Sequence, residues 1–357
     1  MDFRLNENEQ MVVDMCRRFA REQLAAAGAE ADRHAACPPE LITKGLELGL
    51  FVDAIPEKQG GYLEGEFSHT LRALRVMALS AGCPSITAVY EGNTEYALLA
   101  AKIGGKALDT LNDLGDPAKA HACLVLSRSS KPITFSGGKL AGVANGVPNA
   151  VGAKYFAVVS TEDAADPYVA IVTGAQVTAQ RGMSLTSARV GNVSVDGATV
   201  VASVNGAAAK PLIALARNAH RVLAGALGVG SAAQALDYAE AYAADRTQFG
   251  QKIGKFESLA RLIHENRARL TAAKYAVLAA AQALDNGADD ATLLAKQASD
   301  FAGEASVRAA IDAVQVYGGY GFVNDYPVEK VMRDVRACTT LAGDGLREQI
   351  LATALAA

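Results

Sequence analysis

The sequence predicts an α+β fold, mainly α: an N-terminal helical domain over 1–120, a middle β-domain over 121–208 and a C-terminal four-helix bundle over 209–357. Three observations carry this. Apolar residues recur at helical spacing up to about residue 120. The pattern then changes to short runs of strand formers among glycines and small polar residues. From about residue 209 long helical stretches return, with small residues at the seams that let helices pack closely. A chain of 357 residues is long enough for two or three structural units and a large core.

In order along the chain, 9–28 carries Met11, Val12, Met15, Phe19 and Leu24 at helical spacing among charges, with Asn6 or Asn8 to cap its start. Pro38 and Pro39 interrupt, and a helical pattern resumes over 40–49. The segment 56–61, Pro-Glu-Lys-Gln-Gly-Gly, is a loop by its breakers. Two further helices are expected near 68–81 and 94–114. In the middle region 155–160 and 168–173 read as strands, and the domain as largely antiparallel. The runs 192–195 and 198–201 flank Asp196-Gly197, a pair that supplies the positive backbone angles of a type I′ turn, so a hairpin is expected there. Beyond it, 214–246, 257–286, 291–317 and 326–357 form the four bundle helices. No short-period repeat is evident.

Composition limits the function classes. The net charge is −4, so no strong basic field is offered to nucleic acid or an anionic membrane. The N-terminus, Met1-Asp2-Phe3-Arg4, lacks the apolar stretch of a signal peptide. No apolar run reads as a membrane span, and the alanine-rich stretch at 272–284 suits a buried helix. The five cysteines are scattered, with no Cys-x-x-Cys pair. That argues for a reducing, cytoplasmic setting and against disulfide or metal frameworks, with a catalytic cysteine as a minor alternative.

The segment 315–336, Gln-Val-Tyr-Gly-Gly-Tyr-Gly-Phe-Val-Asn-Asp-Tyr-Pro-Val-Glu-Lys-Val-Met-Arg-Asp-Val-Arg, closely resembles the C-terminal signature of the acyl-CoA dehydrogenase family. Arg246-Thr247-Gln248-Phe249-Gly250, followed by Phe256, resembles that family's Arg-x-x-Phe-Gly motif. Glu47-Leu48-Gly49-Leu50, Ile55-Pro56-Glu57, Gly60-Gly61 and Glu91-Gly92-Asn93 are similar to its first domain. The resemblance spans nearly the whole chain, strongest at the C-terminal end and weakest in the middle. It implies the family's architecture, including a barrel-like middle domain.

The resemblance also implies a reaction and a cofactor. A carboxylate takes the α-proton of an acyl thioester, and the β-hydrogen leaves as hydride to FAD. Hydrogen bonds to the thioester carbonyl stabilise the developing enolate. In the family FAD is shared across a subunit interface, and the bundle of one chain grips the ADP half of its partner's cofactor. Arg246, Phe249, Gln315, Gly318 and Gly319 are expected to make that half-site: a charged fork for the pyrophosphate, an apolar face, and bare backbone. The bland alternative pairs Arg246 with Asp245 or Glu240 and lets the glycines only end a helix. Arg333 and Asp334 are read as structural, with Glu329 or Asp325 as partners.

The pattern breaks where the base belongs. In the larger branch it is a Glu nine residues beyond the signature Arg, where this chain has Ala342. In the isovaleryl branch it is a Glu 26 residues before the Arg of Arg-x-x-Phe-Gly, where this chain has His220. Three readings follow. The base belongs to a partner subunit; or it is His220, whose imidazole titrates near neutrality; or it is Asp344 after a local shift. Set against these, His220 is a residue at a helix seam, and Asp344 an N-cap of a terminal helix. The middle domain departs too. Where the family lines its flavin, this chain has Leu-Val-Leu-Ser-Arg-Ser-Ser-Lys at 124–131 and Asn-Gly-Val-Pro-Asn at 145–149. A chain that keeps the half-site it lends and loses the one it uses resembles a subunit of the heterotetrameric acyl-CoA dehydrogenases of bacterial steroid side-chain breakdown. The expectation is therefore a half-site subunit of an FAD-dependent dehydrogenase acting on a bulky acyl-CoA or carrier thioester. The alternatives are a self-sufficient homo-oligomer and a scaffold without chemistry.

Overall fold

The first helix starts at Asn6, whose side chain accepts the Glu9 N–H while Glu9 Oε2 accepts the Asn6 N–H, both at 2.9 Å. That reciprocal capping box fixes the start of α1 (Glu7–Phe19) and selects Asn6 over Asn8. The structure, a computed structural model, describes residues 5–114 and 121–341. Helix α1 runs through a wider turn, Ala20–Leu24, into α2 (Ala25–His34), which ends on left-handed Ala35. Pro39 opens α3 (Pro39–Glu47), where its missing N–H costs nothing. Ser68 caps α4 (His69–Ser80) by accepting the Leu71 N–H. Helix α5 (Pro84–Ile103) begins ten residues before the expected start, and Gly104 separates it from the short α6 (Lys106–Asp109). Its side chains are buried without a break from Pro84 to Ala100, so it carries no polar stripe from which a period could be read.

In the middle region β1 (Ala122–Leu126), β5 (Tyr155–Val159), β6 (Tyr168–Thr173) and β9 (Thr199–Asn205) form one sheet in the order β1-β5-β6-β9. The pair β1·β5 is parallel and the others antiparallel. A second sheet has the order β4 (Val143–Val147), β8 (Gly191–Ser194), β7 (Gln176–Ala179), and β2 (Thr134–Ser136) pairs with β3 (Lys139–Ala141). One face of the first sheet packs on the second through Val125, Phe156, Val158, Ala170 and Val193. Its other face, through Leu124, Ala157 and Ile171, joins the core of the N-terminal helices. Burial on both faces explains continuous apolar runs instead of alternation.

The expected hairpin at Asp196-Gly197 does not form. Strand β8 pairs with β4 and β7, whereas β9 pairs with β6, so the turn carries the chain from one sheet to the other. Gly197 does take a positive φ of 78°. However, Asp196 Oδ1 accepts the Gly142 N–H, which ties the turn to the loop before β4 rather than to a hairpin partner.

The remaining helices are α7 (Lys210–Asp245), α8 (Glu257–Asp285), α9 (Ala291–Tyr317) and α10 (Val328–Leu341). Between α7 and α8 lies a two-residue-per-strand hairpin, β10 (Thr247–Gln248) and β11 (Gln251–Lys252). Alanines line the seam of α7, α8 and α9, among them Ala226, Ala280, Ala298, Ala302 and Ala309. The signature pair Arg333-Asp334 pins three regions together. Asp334, fully buried, accepts the Leu185 N–H and the Lys330 ammonium at 2.6 Å each. Arg333 pairs with Glu329 at 2.8 Å, as expected, and with Asp32 of α2 at 2.8 Å in place of Asp325. A second tie joins the β-region to the bundle: Glu162 accepts Arg221 at 2.6 Å and Lys296 at 2.7 Å.

Candidate functional site

Two places in the molecule bring the expected residues together. The first is a cleft of about 440 Å³ at the end of the bundle, lined by Tyr242, Arg246, Gln248, Tyr317, Gly318, Gly319 and Tyr320, among others. Arg246 follows the last residue of α7, and its guanidinium lies over the Tyr320 ring at 5.6 Å. Its two anticipated acidic partners are engaged elsewhere: Asp245 with Lys252, and Glu240 with Arg267 at 2.8 Å. Phe249 sits at the tip of the β10–β11 hairpin, 93 % exposed, at a left-handed φ of 51°. A large apolar side chain held out in water on strained backbone is not explained by packing within this chain.

Gly318 ends α9 with φ at 59°, so the helix-ending reading holds for it. Gly319 has no such need: its φ is not positive, and a Cβ added there meets nothing within 4 Å. Its bare backbone faces open space beside Arg246, as close approach by an external group requires. Gln315 is exposed one turn earlier on α9 but does not line the cleft.

The second place gathers both middle-domain segments that depart from the family. Leu124, Leu126, Ser127 and Arg128 meet Asn145, Gly146, Val147 and Pro148, with Arg217, His220 and Leu341 closing the group. The space they leave is about 40 Å³, room for little more than a water. The Arg217 guanidinium contributes to the closure by donating to the Ser127 carbonyl at 2.6 Å and the Ser160 carbonyl at 2.8 Å.

His220 is buried on α7, and both of its ring nitrogens are engaged. Nδ1 lies 2.9 and 3.0 Å from the Glu95 oxygens, and Nε2 lies 2.9 Å from the Leu341 carbonyl. Burial alone would raise the Glu95 carboxyl, but His220 beside it and Arg72 behind it outweigh this and hold it below its ordinary value. The partners of both nitrogens are oxygens of the chain itself, the Glu95 carboxyl and the Leu341 carbonyl. Each nitrogen is thus already engaged within the chain, and neither is left facing a substrate. Ala342 and Asp344 lie outside the described residues.

Glu95 is the participant that the sequence reading missed. It ends a buried ladder of alternating charge: Asp53 with Arg75, Arg75 with Glu91 at 2.6 Å, Glu91 with Arg72 at 2.7 Å, Arg72 with Glu95 at 3.4 Å, and Glu95 with His220. Glu91 was noted only as part of a motif. Two carboxylates and two arginines spaced along α4 and α5 were the available signal, because such residues are rarely buried unless paired.

FAD can be tested against both places. The bundle cleft fits half of it: a cation without a carboxylate partner among the described residues, an open glycine backbone and aromatic walls. The small space beside His220 does not fit an isoalloxazine ring, since small-molecule sites run to roughly 300–1,000 Å³.

The chain matches the family description "Acyl-CoA dehydrogenase, N-terminal domain" over residues 6–108, and "Acyl-CoA dehydrogenase, C-terminal domain" over 212–355. It is 27 % identical to an acyl-CoA dehydrogenase of Bacillus subtilis (strain 168), covering 95 % of each chain. Among solved structures it is similar to butyryl-CoA dehydrogenase from Megasphaera elsdenii, with a TM-score of 0.83, 22 % identity and coverage of 100 % of this chain and 99 % of that one. It is also similar to a chain described with the electron transferring flavoprotein of Acidaminococcus fermentans, with a TM-score of 0.85, 23 % identity and the same coverage.

Proposed function

We propose that this chain, which belongs to the acyl-CoA dehydrogenase family, is a subunit that completes a partner's FAD site and brings no catalytic base of its own. The family is one of FAD-dependent oxidoreductases acting on acyl thioesters. When bound, FAD supplies the two-electron oxidation. The observation that carries the reading is the contrast between the two places. The cleft a chain would lend holds about 440 Å³, and the one it would use only about 40 Å³.

In this reading Arg246 holds the pyrophosphate charge with a planar fork, and Gly319, next to Gly318, lets main chain approach it. Phe249 leaves the surface to bury its ring against the partner, and Gln315, exposed on α9 outside the cleft, adds a polar contact. Those residues bind and orient. The partner subunit would bind the thioester substrate and supply the carboxylate that takes its α-proton. A bulky acyl-CoA is the substrate class, and a carrier-bound thioester is the variant. The likeness to a chain described with an electron transferring flavoprotein supports an electron acceptor of that kind for the complex.

Co-expression with an acyl-CoA dehydrogenase encoded beside it should yield a yellow complex that oxidises an acyl-CoA. The chain purified alone should be colourless. Stoichiometric FAD and turnover in the isolated chain would sink the proposal. A self-sufficient enzyme instead requires His220→Ala or Asp344→Ala to abolish flavin reduction in the isolated chain. A scaffold predicts no flavin in any pairing.

A further inference from the structure

We infer that the hydrogen-bonded pair of Glu95 and His220 is a plug that closes this chain's own interior to an acyl chain. The inference rests on the half-site reading and adds a mechanism of exclusion to it. Two remnant spaces flank the pair. His220 lines the space of about 40 Å³, and Glu95 lines one of about 10 Å³ whose other walls are Leu98, Leu99, Leu124, Leu215, Ala216 and Ala219. Leu124 is a wall of both. Apart from Glu95 the second space is walled by apolar side chains of α5, α7 and β1, the chemistry that suits an aliphatic chain. The bonded carboxylate and imidazole stand between the two spaces, one lining each.

Stability alone does not account for a charged pair at that spot. Burying a carboxylate and its imidazole partner among leucines costs desolvation that their interaction only repays, and apolar residues of the same volume serve as well or better. The ladder behind the pair holds it in place: Arg72 reaches Glu95 at 3.4 Å and donates to the Ala219 carbonyl at 3.4 Å, one residue from His220. On the far side His220 is fixed by the Leu341 carbonyl. The plug is thus anchored on α4, α5, α7 and α10.

The test is calorimetric titration of the purified chain with octanoyl-CoA. The wild type should show no saturable binding. A Glu95→Ala/His220→Ala double variant, its fold checked by circular dichroism, should bind at least about tenfold more tightly. Equal binding by the two, or a folded double variant that gains nothing, overturns the plug. If the double variant does not fold, hydrogen exchange on the wild type decides. Peptides covering 95–99 and 215–220 should exchange identically with and without octanoyl-CoA, and protection there refutes the inference. The two readings fail separately: FAD retained by the isolated chain sinks the half-site role, whereas octanoyl-CoA binding without flavin sinks only the plug.

Discussion

At position 220 a histidine faces a carboxylate and a carbonyl, and nothing in the local sequence announces either partner. Glu95 is 125 residues away, and Leu341 is 121 away on the other side. The position itself was legible, because a motif spacing counted back from Arg246 leads to it. Its chemistry was not, because that is set by residues that only folding brings near. Glu95→Ala should strip the imidazole and Arg72 of their common partner and destabilise the chain by about 3–5 kcal/mol in denaturant melts. Adding His220→Ala should cost much less than a second independent loss, since the stranded charge goes with it. Arg246 behaves oppositely. It is exposed and carries no carboxylate among the described residues, so Arg246→Ala should shift the isolated chain's stability by no more than about 0.5 kcal/mol. In the co-expressed complex the same change should release FAD, read as lost absorbance near the flavin bands.

Among the elements, helices with a polar stripe or a capping residue could be placed from sequence, as α4 and α9 show. The bounds of α9 coincide with the expected 291–317. Helix α5 could not, because burial on all sides removed its periodicity. The Asp196-Gly197 turn was read correctly as a turn and wrongly as a hairpin. Turn chemistry is local, while the choice of sheet is made by strands far along the chain. Helix α10 is held by Asp334, and Asp334→Ala would strand the Lys330 ammonium and free the Leu185 N–H. A loss of about 3–5 kcal/mol is expected, measured as a lowered melting temperature.

Glu162 carries a pH dependence for the tie between the β-region and the bundle. Burial works against its ionised form, but Arg221 and Lys296 prevail and lower its carboxyl from 4.5 to about 2. A carboxyl lowered in the folded state stabilises above its unfolded value and loses that contribution as pH falls from about 4.5 toward 2. The amount is about 3 kcal/mol. Glu162→Gln should therefore weaken the chain near neutral pH by about that much and flatten the acid limb of its stability curve.

For the whole molecule, the order of helical region, β-region and helical bundle was readable because each has its own period and composition. The proposal of a kept and a lost half-site starts from the sequence, from Arg246 and Gly319 on one side and Ala342 and 124–131 on the other. What the fold adds is that Arg217 and His220 line the small space beside 124–128 and 145–148 with bonded polar side chains, and Glu95 holds His220 from behind. Sequence shows substitution at such sites but not closure, which depends on how side chains from α5, α7 and β1 meet. The most direct test of the account is the visible absorption spectrum of the purified chain, recorded alone and after co-purification with its dehydrogenase partner. The account predicts no flavin bands alone and a flavin spectrum in the complex that bleaches on adding acyl-CoA; flavin bands of full stoichiometry in the chain alone would contradict it.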